Sequence, residues 1–293
     1  MSVARAVSVE TLSSIPWMSG KSLSHAMREV SLRGPNEKEV WNQLVSRADV
    51  ISNSLSPKQS ALLLNSIARV SDHPDLIGTF DSFLRRYVRK FLVHALEEAS
   101  PLDLAQTVHA LGDLSKNARP NEQLVQMLLS KLRTCLSDMD DRSLSMTSFG
   151  VNRMKLDIDP TIVEIFLKCA LALGESLSDR TLAQVLNLAS VHGNDSLAGG
   201  DLVAQSAPRI ITMNFRTLCL LLSSLGRLRL RNQAVTAALG EVVMSPSFSA
   251  AVSVEQLAII HRSSLKLGVA ETHPHIIHRL DDLLKKRGTS KVV

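Results

Sequence analysis

Apolar residues recur along this chain at helical spacing, in short segments divided by polar, Gly- or Pro-containing joints. One segment is written repeatedly. "LAQTVHALGDL" from Leu104 and "LAQVLNLASVH" from Leu182 share their first three letters and nearly all their apolar positions. Such positions, three and four residues apart, lie on one face of a helix. Seven segments of this form align without gaps, starting at Leu23, Ser60, Leu104, Leu144, Leu182, Leu218 and Leu257. The starts are 37, 44, 40, 38, 36 and 39 residues apart, a mean of 39. A fixed period of this size marks a repeat architecture.

The columns of this alignment sharpen the reading, because unrelated amphipathic helices share apolar stripes but not small residues at fixed places. The second column holds Ser24, Ala61, Ala105, Ser145, Ala183, Cys219 and Ala258. Seven residues on, the ninth holds Ser31, Ala68, Gly112, Asn152, Ser190 and Gly226, with only Leu265 large. Small residues on one face predict close helix packing in every copy. Between copies lies a second apolar-periodic segment, as in residues 37–51, 121–136, 160–173, 232–243 and 275–286. A longer one spans residues 76–99 and a weaker one follows "GNDSLAGGD". Pro101, Pro120, Pro160 and Pro274, with Gly34, Gly193 and Gly268, mark the joints.

Each period is therefore a helix pair, and a lone pair cannot bury its apolar face. The expected fold is all-α: an α-solenoid of about seven stacked helix-hairpin repeats of roughly 39 residues, stacked into a superhelix. It forms one repeat domain over residues 21–293, after an N-terminal extension over residues 1–20. That extension is Ser-rich and carries Arg5, which gives it weak targeting-segment character.

Composition agrees with helices. Hydrophobic residues make up 45% of the chain but aromatics only 3%, so the core is built from Leu, Ile, Val, Ala and Met. Cys135, Cys169 and Cys219 sit in apolar helical patterns far apart and read as buried thiols of a reducing compartment. The longest apolar run, "LCLLL" at residues 218–222, is far short of the ~20 residues that span a bilayer. No membrane insertion is expected.

The net charge of +5 is modest, but its distribution is uneven. Residues 202–240 contain Arg209, Arg216, Arg227, Arg229 and Arg231 and no acid, so this window alone carries the net charge of the whole chain. Within the first helices, the sixth column reads Arg28, Asn65, His109, Phe149, Asn187, Ser223 and Arg262, and the tenth reads Leu32, Arg69, Asp113, Arg153, Val191, Arg227 and Lys266. Columns four apart share a helix face. The expected interface is this polar ladder, with Asn65, His109, Asn187 and Ser223 facing outward to nucleotide bases. Arg28, Arg69, Arg153, Arg227, Arg229, Arg231, Arg262 and Lys266 would meet phosphates. Helical-repeat readers present one or a few side chains per repeat to a base, and ionic contacts supply much of the affinity. Asp113 opposes phosphate, and with Phe149 the ladder's one aromatic, base stacking is not the expected mode.

Other constellations read as structure. "HPHIIHRL" places His273, His275 and His278 close together without a supporting Cys or acid, so no metal is expected. Asp138, Asp140, Asp141, Asp157 and Asp159 fall at repeat joints, where Asp caps helices. "AGGD" at residues 198–201 has neither phosphate-loop nor dinucleotide-binding spacing and reads as a loop. Neither a catalytic residue nor a cofactor or small-molecule substrate is predicted.

The 37- to 40-residue spacing and first helices of the form "LAQxxxxLxxL" with small residues in fixed columns resemble the octotricopeptide and heptatricopeptide repeats. These occur in organellar RNA-binding proteins, among them RAP-domain and FAST-kinase-like proteins, although no RAP domain is evident in this chain. The resemblance implies a non-catalytic protein of the mitochondrial matrix that contacts RNA, organellar rRNA foremost, and neighbouring proteins of a ribonucleoprotein complex. A ribosome subunit or assembly factor is the expected role. The alternative is a scaffold that offers the same surface to a protein partner inside a mitochondrial complex.

Overall fold

The computed structural model describes residues 13–33, 38–115, 120–192 and 197–287. The first twelve residues, which carry Arg5 of the targeting reading, and the joint glycines Gly34 and Gly193 lie outside the described residues. All regular structure among the described residues is helical. In chain order the helices are α1 (Gly20–Arg33), α2 (Lys38–Val50), α3 (Pro57–Val70), α4 (Ile77–Lys90), α5 (Leu92–Glu97), α6 (Pro101–Leu114), α7 (Glu122–Cys135), α8 (Asp141–Met154) and α9 (Pro160–Leu173). They continue with α10 (Asp179–Val191), α11 (Leu197–Ser206), α12 (Phe215–Leu228), α13 (Gln233–Met244), α14 (Phe248–Ala251), α15 (Val254–Lys266), α16 (Val269–Thr272) and α17 (Pro274–Lys286).

The repeat is plain in this order. The aligned segments lie in α1, α3, α6, α8, α10, α12 and α15, and each of these helices starts three residues before its segment. The reason is a shared cap. Ser19, Ser56, Ser100, Asp140, Ser178, Asn214 and Ser253 each accept a hydrogen bond from the backbone N–H three residues on, at 2.8–3.4 Å. An N-cap oxygen of this kind stabilises a helix by ~1 kcal/mol and fixes where it begins.

The packing is solenoid-like, first helix on first helix and second on second. Two compact units are formed, Met1–Asp138 with Phe149–Leu156, and Met139–Ser148 with Asp157–Val293. In the first, α1 packs on α3 and α3 on α6, while α2 packs on α4 and α5 on α7. Leu23, Met27, Leu63, Leu64, Ile67, Leu104, Val108 and Leu111 are buried between them. In the second, α10 packs on α12 and α12 on α15, with α9, α11, α13 and α17 in a parallel row. Its core includes Leu182, Leu186, Leu218, Leu222, Leu225, Leu257 and Ile260. Each such side chain contributes about 1.5–3 kcal/mol of burial, offset by the entropy of ordering the chain.

The small columns do what their size predicts. Ser24, Ala61, Ala105, Ser145, Ala183 and Cys219 are buried, as are Ser31, Gly112 and Gly226. Closest of all is the approach of α6 to the second half of α8, where a Cβ added to Gly112 would lie 2.8 Å from the Gly150 Cα. Leu265, the large exception in the ninth column, is exposed.

Two expectations need correction. The long second helix breaks at Phe91 into α4 and α5, which turns the buried Leu92, Val93 and Leu96 inward. "AGGD" is helical, not a loop: it opens α11, whose Leu202 and Val203 are buried, and that packing overrides the poor helix propensity of its two glycines. As expected of joint aspartates, Asp140 caps α8 and Asp159 caps α9, while Asp141 accepts the Ser178 N–H.

Tyr87, the sole tyrosine of the chain, is buried and donates to Ser60 Oγ at 2.6 Å. Burial pushes its phenol up from 10.0 to about 12, and the Ser60 bond only partly opposes this. A raised folded-state pKa means that the associated stability is intact below pH 10.0 and is lost as pH rises through about 12. The loss expected over that window is ~2–3 kcal/mol. Phenolate absorbance reports this one residue. It should appear only as pH nears 12 or with unfolding, and Tyr87→Phe should flatten the decline; free titration near pH 10 in the folded protein would contradict the geometry.

Candidate nucleic-acid interface

The polar ladder separates into two kinds of position. Tenth-column residues are surface groups: Arg69 and Arg153 in the first unit, and Arg227 and Lys266 in the second, are exposed. Arg28 and Arg262 of the sixth column are exposed as well. The other polar sixth-column residues are not outward-facing as expected, but half-buried in seams between successive first helices. Asn65 donates its amide to Ala61 O and, across the seam, to Gln106 O at 3.1 Å. His109 stacks on Phe149 with ring centroids 5.0 Å apart and faces Asp113, its Nδ1 3.7 Å from Oδ2. Asn187 Oδ1 accepts from Arg227, and Ser223 is part-buried. The physical reason is reach: the next repeat supplies a partner about 40 residues away.

Not every arginine of the basic window over residues 202–240 is available to a ligand. Arg209 is used within the fold, bound to Asp179 Oδ1 and Leu177 O. What the second unit does bring together is Arg227, Arg229, Arg231 and Lys266, which with Gly226 line a cleft of ≈ 500 Å³ among the described residues. These cations stand at the C-terminal ends of α12 and α15.

Each cation is set by local structure. The Arg227 guanidinium donates to Ser190 Oγ at 3.0 Å and to Asn187, both neutral, so its orientation is fixed and no acid among the described residues pairs with it. Partial burial lowers its pKa from the ordinary arginine value without giving it a carboxylate. Arg231 makes a two-pronged ion pair with Glu271, at 2.8 and 3.4 Å. Gly268, in the left-handed region at φ 73°, gives it room: a Cβ there would lie 2.8 Å from Arg231 Cζ. A Cβ at Gly226 would stand 3.4 Å from that of Lys266. Among the described residues, the Arg229 and Lys266 side chains have neither a hydrogen-bond nor an ion-pair partner.

No known family model matches the chain, and no curated protein is significantly similar to it. The site is thus read from its own chemistry.

Arg229 itself is strained. It ends α12 in the left-handed region at φ 54°, where its N–H reaches Leu225 O. Glycine is the usual residue at such an end, and a side chain there costs about 1–2 kcal/mol. Lys155 ends α8 in the same way at φ 53°, but it does not line the cleft.

Among the described residues the cleft's lining has guanidinium and ammonium donors but neither an aromatic face nor a carboxylate, so its chemistry suits phosphate better than a base. Sequence reasoning named all four cations but missed the groups that orient them. Asn187 and Glu271 each lie 40 residues from their arginine, so pairing columns at one-repeat offset finds both.

Proposed function

We propose that this chain is a non-catalytic RNA-binding helical-repeat protein that engages the RNA backbone through the basic face of its second unit. The observation that carries the reading is the cleft of Arg227, Arg229, Arg231 and Lys266, in which, among the described residues, only Arg231 is matched by an acid. Half-burial of Asn65, His109 and Asn187 in seams supports a phosphate-led mode over base-by-base reading. The resemblance to organellar repeat proteins supports a place in the mitochondrial matrix, bound to rRNA in the ribosome or its assembly.

A salt titration of RNA affinity tests the reading. With three unmatched cations engaged, log affinity should fall against log salt with a slope of about −2 to −3. A flat response would refute it. Partners that survive RNase during purification would favour the scaffold instead.

A further inference from the structure

We infer that the cleft takes a dianionic phosphate group, the phosphomonoester at an RNA terminus, in preference to an internal phosphodiester. This rests on the RNA-binding reading and narrows it. A diester carries one charge, whereas a monoester carries about −1.5 to −2 at neutral pH, its second pKa being about 6. The cleft gathers Arg227, Arg229 and Lys266, none with an acid partner among the described residues, and Arg231 with one, into ≈ 500 Å³. Two adjacent internal diesters bring only two negative charges to the cleft. A terminal monoester with its adjoining diester matches the three unpaired cations.

The half-open cleft holds part of its charge in fixed positions. Arg227 is pinned by Ser190 and Asn187, and Arg231 by Glu271 over Gly268, so two guanidiniums are fixed before any ligand arrives. Arg229 fills a left-handed position that glycine would occupy without strain, and it brings a cation to the cleft wall.

The test compares RNA oligonucleotides of one sequence ending in 5′-phosphate, 3′-phosphate or hydroxyl, by fluorescence anisotropy at neutral pH. A terminal phosphate should tighten binding by about tenfold, and the gain should shrink below about pH 6 as the monoester protonates. Arg229→Gly removes the cation while suiting the backbone, so it should fold at least as stably, and the ratio of phosphate- to hydroxyl-ended affinity should fall towards one. Lys155→Gly relieves the same strain away from the cleft and should keep the ratio. The inference is overturned if the wild-type ratio is near one, or if Arg229→Gly leaves it intact; RNA binding itself would then still stand. If no oligonucleotide binds, the RNA reading fails, and inorganic phosphate becomes the probe. A rise in the thermal midpoint of the wild type but not of Arg229→Gly would uphold the anion site, and no rise would end it.

Discussion

Gly150→Ala should lower the thermal midpoint by about 10 °C. Gly150 lies on α8 against α6, and the added Cβ would stand 2.3 Å from Val108 O, 2.6 Å from Val108 C and 2.8 Å from Val108 Cγ1. Two of these three atoms are backbone, so a rotamer change cannot relieve the clash and the helices must part. Opposite Gly150 stands Gly112, which leaves that side no slack either. Overpacking costs typically 1–3 kcal/mol and more where backbone must move, so about 3 kcal/mol or more is expected here. In a chain of this size each kcal/mol shifts the midpoint by about 2–4 °C. Gly200→Ala is the control: a Cβ there meets nothing within 4 Å, so this helical substitution should be neutral or stabilising. Circular dichroism melts of the two variants decide the matter, and equal midpoints would refute the close helix crossing.

The second large effect concerns binding. Replacing Arg227, Arg229 and Lys266 together by Gln should weaken RNA affinity by about two orders of magnitude at moderate salt and flatten the salt slope by about 2–3. The fold should tolerate this at a modest cost: all three residues are surface groups, Gln at position 229 is no worse placed for a left-handed backbone than Arg, and the loss is the seam bonds of Arg227 to Ser190 and Asn187. Arg231→Gln should weaken binding less, because Glu271 already holds that charge. A triple variant with wild-type affinity and slope would move the interface elsewhere.

Much of this architecture is legible in the sequence. The period, the first helices and most second helices follow from apolar spacing, and the small ninth column foretells the tight approach at Gly112, though not Gly150 opposite it, which lies outside both small columns. The cap column was the missed regularity. Ser19, Asp140 and Asn214 differ in name but share one role, an oxygen that accepts the third N–H on, so letter matching passes over them. The break at Phe91 and the helix through "AGGD" depend on what packs beneath them, which local propensity does not encode. The candidate site was half legible. Its cations stand out as charges, but whether a polar residue faces solvent or a seam depends on a partner one repeat away, as Asn65 and Asn187 demonstrate.

Those seam bonds have a mechanical consequence. Asn65 to Gln106 O, Ser115 to Arg153 O, Asp141 to the Ser178 N–H, Asn187 to Arg227 and Arg231 to Glu271 all bridge residues 37 to 41 apart, so each ties a repeat only to its immediate neighbour. Links of that kind bear load in series. Under tension applied at the two ends, such a chain should yield one repeat after another in small, nearly equal steps of force.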